Sequence, residues 1–266
     1  MVTWGQALIP ERLIPGTPEW EAFYHEHEQR YRFFAERYVG LDVLDAACGV
    51  GYGSALIARS GAKSVVGIDI DSQTVGYARE HFAHPRVAFA EASAEQLSQL
   101  GQNFDVVVSF ETIEHLRQPA RFLAEVRRVL RPGGLFICST PNRDFAGKEE
   151  KNVNPYHLSE MSFAEFSDAF SEHFHIEEQY HQSHSEAFLR HVQMIEELQR
   201  VAKLVRYSKM LRLENWLRRL LGKEPWRTDP PAANLTRAVP GDYVIERLDK
   251  PLGRHLTFIL TGRPRK

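Results

Sequence analysis

Cysteine is scarce in this chain of 266 residues, which has only Cys48 and Cys138. Both lie on runs that read as buried parallel strands, and no base is evident beside Cys48, so a small packed residue is expected there rather than a nucleophile. Charge of one sign is also lacking. The formal net charge is -2, which carries no general nucleic-acid signature and makes any basic surface a local one. No apolar run approaches the roughly 20 residues needed to cross a bilayer, and the N-terminus lacks the charged-then-apolar pattern of a signal peptide. A cytoplasmic protein is therefore expected. The remaining composition, 43% hydrophobic and 26% charged, is that of an ordinary globular chain, long enough for one large domain or for one domain with an inserted piece.

What is present centres on residues 41–71, LDVLDAACGVGYGSALIARSGAKSVVGIDID. An apolar run leads into Gly49, Gly51 and Gly53, a helix-like segment follows, and a second β-branched run ends at Asp69. That pattern is a βαβ unit of the nucleotide-binding kind. Glycine lets the turn approach a ligand, and the acid can accept hydrogen bonds from both ribose hydroxyls. A dinucleotide dehydrogenase would show Gly-x-Gly-x-x-Gly with pyrophosphate at the helix N-terminus. Here the third glycine comes one place early, Ser54 stands where it is expected, and Asp45 precedes the turn. An anion beside the turn repels pyrophosphate and attracts an ammonium. S-adenosylmethionine carries an ammonium, a sulfonium and a ribose diol, which suit Asp45 and Asp69. For the glycine turn taken alone, a nicotinamide dehydrogenase stays open.

With these residues the chain resembles the class I S-adenosylmethionine-dependent methyltransferases, whose first motif reads much like Val43-Leu44-Asp45-Ala46-Ala47-Cys48-Gly49-Val50-Gly51. The resemblance implies an α/β fold, a Rossmann-like seven-stranded, mostly parallel sheet with helices on both faces. It implies S-adenosylmethionine held by Asp45, Ala47, Gly49, Gly51, Asp69 and Ile70, with Phe110 lining the cleft and Ser93 and Ala94 near the adenine. Ser93 stands where the family commonly has an acid, so it can accept a hydrogen bond there only more weakly. In the family's strand order a third strand separates the two cysteine-bearing segments, about 9–10 Å apart at ~4.8 Å per strand, so both are expected to be reduced.

Around that unit, residues 1–38 read as an extended lead-in with Pro10, Pro15, Gly16 and Pro18, then a helix over 19–38 capping the crevice. Phe23, Tyr31, Phe34 and Tyr38 fall near helical spacing in it, and His25 and His27 read as solvated rather than as metal ligands. Helices are expected over 71–82, 119–130 and 162–171, and strands over 86–90, 103–109, 135–140, 174–180 and 255–261. The methyltransferase core would then be 39–181 with 251–266, interrupted by an insertion over 182–250 before the last strand. Within it, residues 200–223 carry eight Lys or Arg against one acid, Glu214, with apolar residues at helical spacing. A basic amphipathic helix serves as a lid, as a homodimer contact or as a peripheral membrane contact.

The segment leaving the fourth strand, Ser109-Phe110-Glu111-Thr112-Ile113-Glu114-His115, falls at the point where the family's strand order reverses, where open α/β sheets bind ligands. Its Glu-x-x-Glu-His spacing resembles the ubiquinone biosynthesis O-methyltransferases, in which the corresponding residues bind a divalent metal that orients a catecholic substrate. Carried over, Glu111, Glu114 and His115 would be the ligands. The reading preferred here is metal-independent, with His115 as general base beside Glu114, because a single Glu-His pair is widespread in the family without metal. A purely structural role for Glu114 and His115 in holding the loop is the bland alternative. A second cluster, Asn154-Pro155-Tyr156-His157, faces the acceptor from the loop after the fifth strand; with Glu11-Arg12-Leu13-Ile14-Pro15-Gly16 it looks like bacterial polysaccharide-associated methyltransferases. No Asn/Asp-Pro-Pro-aromatic motif follows the fourth strand, which favours an oxygen acceptor over an exocyclic amine. The expected function is methyl transfer to a hydroxyl of a small molecule, sugar or lipid-linked glycan, with His115 or His157 taking the proton and no nucleic acid as partner. A nucleoside-binding scaffold that docks a partner or membrane through the insertion is the alternative of another class.

Overall fold

A computed structural model describes residues 12–144, 156–188, 190, 194, 241–248 and 257–265. The chain divides into two compact units, one of residues 1–183 with 243–266 and one of 184–242. The basic stretch 200–223 and Asn154-Pro155 lie outside the described residues. No helix among the described residues is long and apolar enough to cross a membrane.

The first unit is built on an eight-stranded sheet. Its strands are β1 (Asp42–Ala46), β2 (Ser64–Asp69), β3 (Val87–Glu91), β4 (Phe104–Ser109), β5 (Leu130–Pro141), β6 (Phe174–His184), β7 (Tyr243–Arg247) and β8 (Thr257–Pro264). They lie in the order β3-β2-β1-β4-β5-β8-β6-β7. The first five pair in parallel, and β8 runs antiparallel between β5 and β6. The expected strand count of seven is thus one short. The extra strand, β7, falls inside the stretch read as a helical insertion, and its short sequence YVIER, apolar at only three positions, carries little periodic signal.

Among the described residues five helices cover the sheet: α1 (Pro18–Phe33), α2 (Tyr52–Arg59), α3 (Ser72–His81), α4 (Pro119–Val129) and α5 (Phe163–Ser171). Their ends follow local chemistry. Thr17, Asp71 and Ser162 cap α1, α3 and α5 by accepting from backbone N–H groups of the first turn, and Pro119 opens α4 at a position where its missing N–H is not needed.

Alternate residues of the parallel strands face opposite layers, which makes the strands apolar on both sides. Leu44, Ile68, Val107 and Phe136 pack with Phe122, Leu123, Val126, Phe166 and Phe170 under α4 and α5. Val43, Val65, Val106, Val108 and Ile137 pack with Tyr31, Phe34, Leu56 and Ile57 under α1 and α2. Two expectations shift in detail. α1 ends at Phe33, so Phe34 and Tyr38 are buried from a short 3-10 segment, and Phe23 is exposed. Cys48 lies in the turn after β1 rather than on a strand, while Cys138 is on β5; both are free thiols.

Parallel β1 and β4 are neighbours, with β2 and β3 to one side and β5 to the other. The direction of chain winding therefore reverses between β1 and β4, and a crevice opens beyond their carboxyl ends.

Candidate active site at the carboxyl edge

The crevice holds a cavity of about 460 Å³ lined from four directions. The turn after β1 supplies Ala47, Cys48, Gly49 and Val50, and Tyr52 follows at the start of α2. The loop after β4 supplies Phe110, Glu111, Glu114 and His115, joined by His157. The third wall comes from α1. Glu19, Phe23, His27 and Tyr31, four residues apart in sequence, all line the cavity because that spacing keeps them on one helix face. Arg12 and Leu13 of the lead-in close the remaining side.

Backbone strain marks both strand ends. Ala47 has φ 63° and Glu111 φ 50°, left-handed values that cost a residue with a Cβ about 1–2 kcal/mol. One follows β1 and the other follows β4, so the two strained residues flank the switch point from either side.

The glycines do different work from that expected. A Cβ on Gly49 would meet only Arg12 Cδ, at 3.6 Å, so this position lies open toward the ligand side of the turn. A Cβ on Gly51 would fall 2.7 Å from Phe89 and 2.8 Å from Ala78, and one on Gly53 would collide with the Tyr31 ring. Those two glycines let α2 seat against α3, β3 and α1.

Asp69 closes β2 and is buried beneath the turn. Gly49 N–H donates to its Oδ2 at 3.1 Å, and Asp71 N–H and Arg12 Nη2 donate to its Oδ1 at 3.0 and 3.1 Å. Asp45 is buried as well, and like Asp69 it is not part of the cavity lining: Ser54 Oγ donates to it at 2.7 Å and the Tyr31 hydroxyl at 3.2 Å. Burial raises the Asp45 pKa to about 6 despite those two hydrogen bonds, and the nearby Asp69 charge adds to the rise.

At the acceptor end, His115 Nδ1 lies 3.1 Å from the Tyr156 carbonyl and His157 Nδ1 2.6 Å from Glu160 Oε1. A carbonyl can only accept, so His115 donates from Nδ1, and in the neutral imidazole Nε2 is the nitrogen with the lone pair. The two imidazoles meet edge to face with centroids 4.8 Å apart. Glu114 is fully buried, with Thr140 Oγ1 donating to Oε2 at 3.2 Å and no hydrogen bond on Oε1, which lies 3.8 Å from His115 Nε2. Burial first, and the Glu111 charge second, push the Glu114 pKa well above the carboxylate range.

Glu111 points elsewhere. Its Oε1 accepts from Ser139 Oγ at 2.9 Å and pairs with Arg30 Nη1 at 3.3 Å. Arg30 is fully buried, bonded also to Glu26, to Gln182 at 2.5 Å and to Thr257 at 3.3 Å, so it ties α1 to the sheet. Among the described residues, the three side chains whose ligand atoms converge, all within 4.8 Å, are Glu114, His115 and His157. The set suggested by the Glu-x-x-Glu-His spacing is therefore altered, with His157 in the position expected for Glu111.

Of the sequence-predicted residues, Ala47, Gly49, Phe110, Glu111, Glu114, His115 and His157 line one cavity. Asp45, Gly51, Asp69, Ile70, Ser93 and Ala94 do not. Ile70 is exposed beside Asp69; Ser93 accepts from Glu95 N–H at 3.2 Å and so caps the short 3-10 segment 94–100; Ala94 is buried in the core. Tyr156 is exposed and contributes its carbonyl. Sequence reading missed Arg12, His27, Tyr31 and Tyr52 as cavity residues. The first three sit in the lead-in and cap; the 23, 27, 31 spacing was a usable signal for two of them. His27 is not simply solvated: burial and the Arg30 charge hold its pKa well below the ordinary imidazole value.

A doubly wound sheet with an acid and a glycine turn at its switch point defines a nucleoside-binding α/β domain. Within that class, residues 44–138 match the family model of the methyltransferase domain. A probable S-adenosylmethionine-dependent methyltransferase of Mycolicibacterium smegmatis is 43% identical over 162 residues, covering 60% of this chain and 62% of that protein. A ubiquinone biosynthesis O-methyltransferase of Cereibacter sphaeroides is 40% identical over 107 residues, covering 40% of this chain and 43% of that one. The solved PH0226 protein of Pyrococcus horikoshii is 26% identical with a TM-score of 0.52, over 62% of this chain and 86% of that chain. Over residues 44–138 the chain is thus similar to the methyltransferase domain, and the relatives it matches include S-adenosylmethionine-dependent methyltransferases. It spans about three fifths of the length of the mycobacterial relatives it matches.

Proposed function

We propose that the protein transfers a methyl group from S-adenosylmethionine to a hydroxyl oxygen. The observation that carries this reading is Asp69, an acid at the end of β2 anchored by Gly49 N–H beneath a turn that lines the same crevice as a histidine pair. The residues present fit the donor: Asp69 offers oxygens to a ribose diol, Gly49 leaves space for the chain of the ligand, and Tyr31 links the cavity to the negative charge of Asp45. When bound, S-adenosylmethionine supplies a methyl group on a sulfonium, and its departure leaves a neutral thioether.

The chain's own residues then position and deprotonate the acceptor. Phe23, Tyr52 and Phe110 offer apolar faces, and His115 presents Nε2 to an acceptor hydroxyl. His115 Nε2 would take the hydroxyl proton as the acceptor oxygen becomes methylated, with His157 as the second imidazole in reach. Glu114, disposed toward its neutral form, keeps the surroundings of His115 from accumulating negative charge. A small molecule, a sugar or a lipid-linked glycan supplies the hydroxyl in this reading. The second reading rests on the convergence of Glu114, His115 and His157, which together offer one carboxylate and two imidazoles to a divalent metal. In that reading Glu114, His115 and His157 would hold the ion, which would lower the pKa of the hydroxyl.

Incubating the protein with methyl-labelled donor and cell extract separates these readings. Label is expected in a lipid, glycan or small-molecule fraction, with turnover surviving thorough chelation and falling about 100-fold in His115→Ala at unchanged donor affinity. Activity abolished by chelator and restored by a divalent ion would favour the metal reading. Donor binding with no transferred label would leave a nucleoside-binding scaffold.

A further inference from the structure

Arg30 is a fully buried cation whose guanidinium is shared among four parts of the fold. Nη2 donates to Glu26, one turn back on α1, and to Thr257 Oγ1 on β8 at 3.3 Å; Nε donates to Gln182 Oε1 on β6 at 2.5 Å. Nη1 faces the fourth partner, Glu111 Oε1, at 3.3 Å, as an ion pair without hydrogen-bond geometry. Burial works against the Arg30 charge, but Glu111 and then Glu26 more than offset it, and the guanidinium pKa is raised.

Glu111 is where this network meets the site. It lines the cavity, and its backbone is left-handed at φ 50°. Such a conformation persists in a residue with a Cβ only where the surroundings fix it from several sides. Ser139 Oγ accepts from Glu111 N–H at 3.2 Å and donates to Oε1 at 2.9 Å, and Arg30 holds the same oxygen from the side of α1. His115 N–H in turn donates at 2.9 Å to the carbonyl of Thr112, the residue next to Glu111. The turn that carries the histidine therefore starts from a residue clamped between the sheet and the cap helix. The same helix presents Phe23 and His27 to the cavity, so one guanidinium fixes two of its walls relative to each other.

We propose that Arg30, acting through Glu111, is a positioning residue for methyl transfer, setting the cap wall against the segment that presents His115. The proposal rests on the reading of His115 as base given above. It also accounts for the altered set of converging ligand atoms: Glu111 is spent on Arg30, and His157 joins Glu114 and His115 instead.

Two variants of the full chain test it. Glu111→Gln keeps the shape and an oxygen for Ser139 but removes the charge; Arg30→Lys keeps the charge without the fork. Three quantities are measured: label transfer from saturating methyl-labelled donor to cell extract, calorimetric affinity for S-adenosylhomocysteine, and the His115 imidazole NMR signal, assigned by its loss in His115→Ala. In Glu111→Gln, turnover is expected to fall about tenfold with nucleoside affinity within about twofold, and the His115 signal to shift; Arg30→Lys is expected to lose less. Full turnover in both variants, or turnover that falls only in step with thermal midpoint and nucleoside affinity while the His115 signal stays in place, would overturn the proposal. Loss of cooperative unfolding in both would overturn it too, since the pair would then serve the fold alone. If the unmodified protein transfers no label, the methyl-transfer reading fails, and the His115 signal by itself then decides whether Arg30 sets that segment.

Discussion

Asp45 and Asp69 are both 1% exposed, yet they face different partners. Asp69 is compensated by two backbone N–H groups and a guanidinium; Asp45 has only two hydroxyl donors, and its pKa stands at about 6 against an ordinary 3.8. A carboxyl whose folded-state pKa lies above the unfolded value supports the fold fully below about pH 4, and that support is lost as pH rises through about 6. Asp45→Asn, which keeps the shape without the charge, is therefore expected to stabilise the protein by about 1–3 kcal/mol at pH 7.5 and by little at pH 4. Chemical denaturation at the two pH values checks this, and a variant less stable at pH 7.5 would contradict it. At this scale the residue types were legible in the sequence, because acids at strand ends beside a glycine turn have few structural uses. That Asp45 is held by Tyr31 and Ser54 while Asp69 accepts from the glycine turn was not legible, since it depends on side chains as far as 14 positions away.

The cap helix shows how one element can serve two surfaces. Glu19, Phe23, His27 and Tyr31 face the cavity, while Glu26 and Arg30, one helical turn apart, bind the sheet side through Glu111, Gln182 and Thr257. Its seat against α2 depends on Gly53, where any side chain would collide with the Tyr31 ring and hydroxyl. Gly53→Ala is expected to cost about 1–3 kcal/mol and to lower the midpoint of thermal unfolding by several degrees. An unchanged midpoint would mean that α1 does not rest on α2 as described. The helix was legible in the sequence from its charges and from Phe23, Tyr31, Phe34 and Tyr38; the first two lie on it and line the cavity, while the last two flank the following 3-10 segment. A helix that ends at Phe33 rather than Tyr38 presents a different inward face, and periodicity cannot fix the boundary where no glycine or proline stops the helix.

For the molecule as a whole, alternation of apolar runs and helical patterns was enough to read the parallel half, β1 to β5, where β1, β2, β4 and β5 are buried on both faces and only β3 is a partly exposed edge. The antiparallel edge was harder. Short β7 sits at the margin of the sheet beside β6, and nothing in its five residues separates it from the stretch read as insertion. The order of the strands is what brings the site together. Asp69, Ala47, Glu111 and His115 come from the end of β2 and from the segments after β1 and β4, and they meet only because β1 lies between β2 and β4. The central claim is that this meeting point holds a nucleoside through Asp69. Titrating S-adenosylhomocysteine into the unmodified protein and into Asp69→Ala measures it directly. Saturable binding that weakens about 100-fold in the variant, with thermal unfolding still cooperative, is the predicted result; equal affinity in the two proteins would contradict it.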